Sequence, residues 1–386
     1  MPHHDRDGGQ APRLIGLDYL RGFVIVQVVL HHAVLAYCRF GHFDRRHYLW
    51  SSAPIVDSER WLGFDVIVLF NDSYFMPLLF LLSGLFVWPS LERKGTGGYM
   101  MARLRRLAVP FALSALTIAP LAYYPSFRMT GADIGFGAFW MRTVFDGPWP
   151  SGPAWFLAVL FGFDLMAVAL YAAHRRHHGR RFLKLPNPVR PFAPLAALSA
   201  AAYLPLLIAY GPSRWLVWGP FAIQASRILL YAAFFLAGVA AGRNRLVTPD
   251  AARRTGPTML AMGLFALLLA TQVGRLYDPT LLPPVTWLAV YGATFALFCA
   301  GATRALLDMF AAFTRPFAIC DSLGANSYGI YLLHYPCVVW GQYALLDARI
   351  GAVPKAVPVF GGSLTLSWAS TAELRRIGSS LRVRPH

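Results

Sequence analysis

The apolar residues of this 386-residue chain run together in stretches of about 20, separated by clusters of charge and by Pro/Gly pairs, with no sustained alternation of apolar and polar positions. Ten such stretches stand out, near 15–38, 61–88, 107–124, 153–173, 192–210, 220–242, 258–274, 285–303, 327–346 and 353–372. Each is long enough to cross a hydrocarbon core about 30 Å thick. The pattern predicts an all-α polytopic integral membrane protein of about ten transmembrane helices. The sixth stretch holds Arg227, and the tenth holds Gly361, Gly362 and several hydroxyls; both are kept as spans. A polar N-terminal tail (1–14), one transmembrane domain (15–372) and a basic C-terminal tail (373–386) complete the division.

Composition agrees: 56% of the residues are hydrophobic and 14% charged, against about 25% charged in soluble domains. A net charge of +17 in a soluble chain points toward nucleic acid. Here the basic residues sit in loops between apolar spans, so no nucleic-acid partner is expected and membrane lipids are. Lys and Arg divide as 23 against 10 between alternate loops, with Arg21 and Arg227 inside spans. Insertion follows that bias, which places both termini in the cytoplasm of a cell inner membrane and favours an even number of spans. The first apolar stretch outlasts a signal-peptide h-region and is expected to be retained as the first span. Cys38, Cys299, Cys320 and Cys337 lie far apart with no CxxC pair. They predict packing residues rather than a metal or redox site.

Polar groups inside apolar spans are expensive, so they are the first functional candidates. Span 1 carries Asp18, Arg21 and the doublet His31-His32. Arg21 and His32 are 11 positions apart, about 20° off the same helix face and roughly 16 Å apart in rise, and Asp18 at i−3 is placed to orient Arg21. An interfacial Asp-Arg anchor with a packed histidine fits the same spacing. Span 2 brings Asp72 near mid-span, where it needs a partner or a wet cavity, and then Ser83-Gly84, a pair that ordinarily permits close helix approach. The loop before span 3 holds Arg103, Arg105 and Arg106, a cluster able to grip phosphate as well as to set topology. The outer loop at 125–152 leads into Pro153-Ala154-Trp155, an aromatic stretch suited to a lid or to the membrane interface. In span 9, Tyr331 and His334 are neighbours on one face, and Pro336 frees a backbone carbonyl nearby. For Arg227 in the sixth span, a place near the outer interface with the side chain snorkelling is a sufficient alternative to a functional role.

These patterns together resemble the acyltransferase 3 family of membrane O-acyltransferases. The resemblance rests on Leu17-Asp18-Tyr19-Leu20-Arg21-Gly22 with His32 after ten intervening residues, Met76-Pro77 with Phe80-Leu81-Leu82-Ser83-Gly84, Arg103-x-x-Arg106, Pro153-Ala154-Trp155-Phe156-Leu157 and Asn326-Ser327-Tyr328-Gly329-Ile330-Tyr331-Leu332-Leu333-His334. Phe75-Met76-Pro77-Leu78 and Ser367-Trp368-Ala369-Ser370-Thr371 are similar to the branch that contains glucans biosynthesis protein C. The resemblance implies acyl-CoA as a cytoplasmic acyl donor and co-substrate, and a hydroxyl of an extracytoplasmic glycan, glucan or glycolipid as acceptor. It implies His32 as general base with Arg21 and Asp18, donor binding by Arg103, Arg105 and Arg106, and supporting roles for His31, Asp72, Ser83, Trp155, Tyr331 and His334. The acyl group is left as acetyl, succinyl or similar. A transporter or flippase for an anionic lipid or saccharide would use the same intramembrane charges. Haem ligation by His32 and His334 is discounted, because counted from the expected span ends they stand about 9 Å apart in height.

Overall fold

The computed structural model describes residues 15–147, 149–176, 192–243, 255–280 and 282–382. They form α1 (Ile15–Leu35), α2 (Leu62–Gly84), α3 (Val87–Arg128), a short α4 (Phe136–Phe145), α5 (Gly152–Arg176), α6 (Phe192–Tyr210) and α7 (Ala225–Arg243). The series continues with α8 (Thr255–Tyr277), α9 (Pro284–Ala311), α10 (Ala318–Ala344) and α11 (Ala352–Arg382). Eight of these, α1 to α3 and α5 to α9, are long and apolar enough to cross a membrane. At 27 and 31 residues, α10 and α11 have the length but a more polar composition. The protein is an all-α membrane protein, with one small hairpin of β1 (Trp215–Trp218) and β2 (Phe221–Gln224) between α6 and α7.

Several boundaries differ from expectation, each for a local reason. The stretch expected to begin the sixth span at 220 is strand, because Gly219 takes a positive φ of 56° and turns two short apolar and aromatic segments back on each other. The loop expected before span 3 is helical: only Gly95, at φ 68° and ψ 172°, breaks the run, and the chain is helical again through Arg103. α10 starts at Ala318, nine residues before the apolar run that marked it. α11 runs on to Arg382, so the tail expected from 373 is helix that far. The N-terminal tail 1–14 and the loop residues Arg180, Arg181, Lys184, Arg190, Arg245, Arg253 and Arg254 lie outside the described residues.

Proline organises the helix contacts. A proline inside a helix leaves the carbonyl four residues earlier without its donor, and three such carbonyls here take a donor from another element. Pro110 frees the Arg106 carbonyl, which accepts from the Tyr328 hydroxyl of α10. Pro120 frees that of Leu116, bonded by Trp140 Nε1 of α4 at 2.8 Å, and Pro125 frees that of Leu121, bonded by Trp340 Nε1 of α10 at 2.9 Å. Two π-helical segments in α3, Leu104–Ala108 and Ser114–Ile118, end just before Pro110 and Pro120. Such bulges gather at functional sites.

Small residues set the closest approaches, as in other membrane bundles. At Gly84 and Gly238 a Cβ would collide with the facing backbone, so α2 and α7 pack main chain against main chain. Gly22 of α1 and Gly324 of α10 likewise leave only about 3 Å to the opposite backbone. α1 and α10 run parallel: Arg21 bonds Ser327, and eleven residues on the His32 ring meets those of His334 and Tyr335. α11 returns antiparallel beside α10, with Val359 against Gly341 and Thr371 against Gly329; near the end of that contact Trp368 Nε1 bonds Ser322 Oγ at 2.9 Å and Arg375 bonds Asn326 Oδ1 at 3.1 Å. The start of α1 and the end of α11 therefore share one face of the bundle.

Candidate active site

The seam between α1 and α10 holds the imidazoles. His32 and His334 stand 5.4 Å apart between ring centroids with planes tilted 34°, and Tyr335 lies 5.1 Å from His32. This corrects the height mismatch expected from the sequence: with α10 starting at Ala318 and α1 at Ile15, the two histidines are 16 and 17 residues in. The height argument against joint ligation by His32 and His334 therefore falls. His334 is fully enclosed; its Nδ1 bonds the Tyr331 carbonyl at 2.8 Å and lies 3.2 Å from that of Ile330, while its Nε2 has no partner. His32 is half-buried, and its Nδ1 is enclosed without a partner.

Tyr331 and Tyr335 line a narrow cleft with room for about one water, walled also by Ser114, Ile118, Ser151 and Pro153. The Tyr331 hydroxyl donates to the Pro153 carbonyl, and Gly152, at φ 50°, brings the chain against the Tyr335 ring. The stretch before α5 thus folds back onto the seam. Trp155 stacks on Tyr231 at 5.8 Å and carries that contact to α7. The second π-helical segment of α3 supplies Ser114 and Ile118 to the cleft wall.

Arg21 shares the face of His32 but not its surroundings. Its Nη2 donates to Asp18 Oδ1 at 2.8 Å and its Nε to Ser327 Oγ at 3.2 Å. A helix rise of roughly 16 Å separates it from the imidazole, so the two do not touch. Arg21 instead joins the arginines of α3: Arg106 feels the charges of Arg103 and Arg21 and packs its guanidinium 5.7 Å over the Tyr328 ring. Arg105 and Arg106 are exposed. Arg103 is engaged elsewhere, donating to the Tyr99 hydroxyl at 2.9 Å, which in turn donates to Asp164 Oδ1 at 2.5 Å; Asp164 Oδ2 lies 3.1 Å from Arg103 Nε. Asp164 is fully buried in the middle of α5, and an acid inside that apolar run was a signal the sequence reading passed over.

Asp72 finds the partner it needs in Arg227, which sets aside the interfacial alternative for Arg227. Pro77 has no N–H to bond the Ser73 carbonyl, and α2 breaks at Ser73 and Tyr74. Arg227 Nη1 reaches into the break, 2.8 Å from Asp72 Oδ1 and 3.0 Å from the Asp72 carbonyl, while Nη2 lies 2.5 Å from Oδ2. The Arg227 side chain is 4% exposed, and its guanidinium lies 5.0 Å over the Phe295 ring. The arginine is held because β1 and β2 delay the start of α7 and put residue 227 in its first turn. His31 faces this pair, packed on Phe75 at 5.2 Å. Ser83 spends its hydroxyl on the Leu79 carbonyl at 2.8 Å, beside the close Gly84 contact, in keeping with a packing position.

The arrangement offers imidazole nitrogen beside a tyrosine that lines a narrow cleft, with exposed guanidinium groups about three helix turns away. Compared with known families, residues 14–372 match the acyltransferase domain family. No curated protein and no solved structure matches the chain.

The Arg103–Tyr99–Asp164 chain predicts a stability role for Arg103. Arg103→Ala leaves a carboxylate buried without its cation, a loss of about 3–5 kcal/mol for such pairs. Its thermal unfolding midpoint in detergent should drop, and adding Asp164→Asn should restore part of the loss. An unchanged midpoint in the single variant would return Arg103 to the free arginines.

Proposed function

The chain belongs to the acyltransferase domain family, and on that premise we propose that it moves an acyl group from acyl-CoA to a hydroxyl of an extracytoplasmic glycan, glucan or glycolipid, with His32 as general base. The observation that carries this reading is His32 packed on His334 and on Tyr335, which lines the cleft, at one level of α1, with Arg21 within the field of Arg106 at another. A rise of roughly 16 Å between those levels suits a donor whose phosphates sit at the arginines while its extended thiol arm reaches the imidazole. The proposed topology is ten spans with both termini in the cytoplasm, so the arginine face meets the donor and the opposite face the acceptor. Within the family, the glucans biosynthesis protein C branch and a succinyl or acetyl group fit the motifs of span 2 and of α11.

The chemistry follows from the side chains. A neutral imidazole takes the acceptor's hydroxyl proton as its oxygen attacks the thioester carbonyl. The carbon–sulfur bond then breaks, and the thiolate leaves carrying that proton as the thiol, which restores the base. Arg105, Arg106 and Arg21 hold the donor by charge-assisted bonds to phosphate. Arg103 supports them by fixing α3 against α5.

Three outcomes are expected. His32→Asn fills space but takes no proton, and should lower transfer by about 10²–10⁴, whereas His31→Ala should be milder; near-parent transfer by a normally inserted His32→Asn protein would end the base assignment. Arg105→Ala with Arg106→Ala should raise the KM for acyl-CoA several-fold with kcat little changed, and an unchanged KM would leave these arginines a purely topological role. A reporter joined after His386 should be active only in the cytoplasm; activity that depends on the periplasm would overturn the ten-span topology.

A further inference from the structure

His32 and His334 each keep one enclosed ring nitrogen without a partner, Nδ1 and Nε2 respectively. Enclosed polar atoms are nearly always bonded, so two orphans on adjacent rings need an explanation. An N–H···N bond of about 2.9–3.0 Å, with each centroid ~1.1 Å behind its nitrogen, puts two imidazole centroids about 5.2 Å apart. These stand 5.4 Å apart, close to that separation. His31 is as near His32, at 5.4 Å, and its Nδ1 also lacks a partner, but its ring packs on Phe75 and faces the Asp72–Arg227 pair on the other side.

The tautomers decide the direction. His334 Nδ1 faces two carbonyls of its own helix, Tyr331 at 2.8 Å and Ile330 at 3.2 Å, so it carries the proton and Nε2 bears the lone pair. We propose that His334 is a positioning residue: its Nε2 accepts the Nδ1 proton of His32, fixing His32 as the tautomer whose Nε2 is the base. The line from the Tyr331 carbonyl through His334 to His32 then does the orienting work that a carboxylate does in a hydrolase triad. With two neutral imidazoles and a peptide carbonyl, it needs no charge in the membrane. When His32 takes the hydroxyl proton, the His334 lone pair stabilises the imidazolium that forms. This assignment deepens the acyltransfer reading and rests on His32 being the base.

Two substitutions separate positioning from packing. Glutamine at 334 can set an acceptor oxygen where Nε2 stood but loses the donor to Tyr331; asparagine keeps that donor and loses the acceptor. His334→Gln should hold kcat within about tenfold of the parent, and His334→Asn should lose about 10²-fold or more with both KM values within threefold, since a wrong tautomer costs up to about 10⁴ in a triad. A packing role predicts the reverse order, with asparagine milder. Equal total loss in both folded variants would make His334 a base itself, and parent-like rates in both would leave it no part; each overturns the proposal. A readout without activity uses the parent protein labelled with ¹⁵N-histidine, the His32 signals assigned by their loss in His32→Asn. Nδ1-protonated His32 is expected at a pH where it is neutral, and the Nε2-protonated form would contradict the proposal even if both variants misfold. An active His32→Asn protein would sink the acyltransfer mechanism instead, and leaves a distinct trace from any His334 result.

Discussion

Two helices that approach in parallel at Gly22 and Gly324 decide what else this bundle can do. Near that crossing a Cβ on either glycine would stand only about 3 Å from the facing backbone, and the close approach lets Arg21 reach Ser327 and, three turns on, sets His32 beside His334. One seam thus has a charged end and an imidazole end, separated by a helix rise. In a medium that offers no water to an unpaired group, such a separation survives only when each end is provided for by the protein. The charged end is met by Asp18, Ser327 and the Gly324 carbonyl; at the other end His32 packs on Tyr335, which lines a narrow cleft.

Elsewhere, intramembrane charge is used as joinery. Asp72 with Arg227 fixes the break of α2 to the first turn of α7, and Asp164 with Arg103 and Tyr99 fixes α5 to α3. Lys355, at 1% exposure, bonds Asp57 at 2.7 and 3.0 Å and ties the loop after α1 to α11. Removing one partner of an enclosed pair costs far more than the pair adds, so each makes its contact hard to exchange for another. Proline acts in the same direction by a different route. The carbonyls it frees in α3 are met by Tyr328, Trp140 and Trp340, so the residue that weakens the helix also specifies its neighbours.

Much of this was legible in the residues. Long apolar runs named the helices, and the 350s-to-380s helix and the Phe192–Tyr210 helix begin where their runs begin. The 11-residue spacing put Arg21 and His32 on one face, and an acid at position 72 demanded a partner. What escaped was whatever depends on the far end of a contact. Arg227 near the end of an apolar run reads like an interfacial anchor; only the hairpin before α7, with its positive-φ Gly219, shows why it is held inside. The level of His334 was misjudged because the first turns of α10 are polar, Asp321, Ser322 and Asn326 among them, and a hydropathy pattern trims such turns away. Arg103 reads like its neighbours Arg105 and Arg106 until the tyrosine four residues earlier and the acid on α5 are brought beside it.

Acyl transfer to an envelope hydroxyl is the claim on which the rest converges, and its product can be weighed. Mass spectrometry of envelope glycans and glycolipids from cells with this chain and from otherwise identical cells without it should reveal a base-labile ester mass only where the chain is present. Identical mass profiles in the two, with the protein inserted and acyl-CoA abundant, would contradict the account.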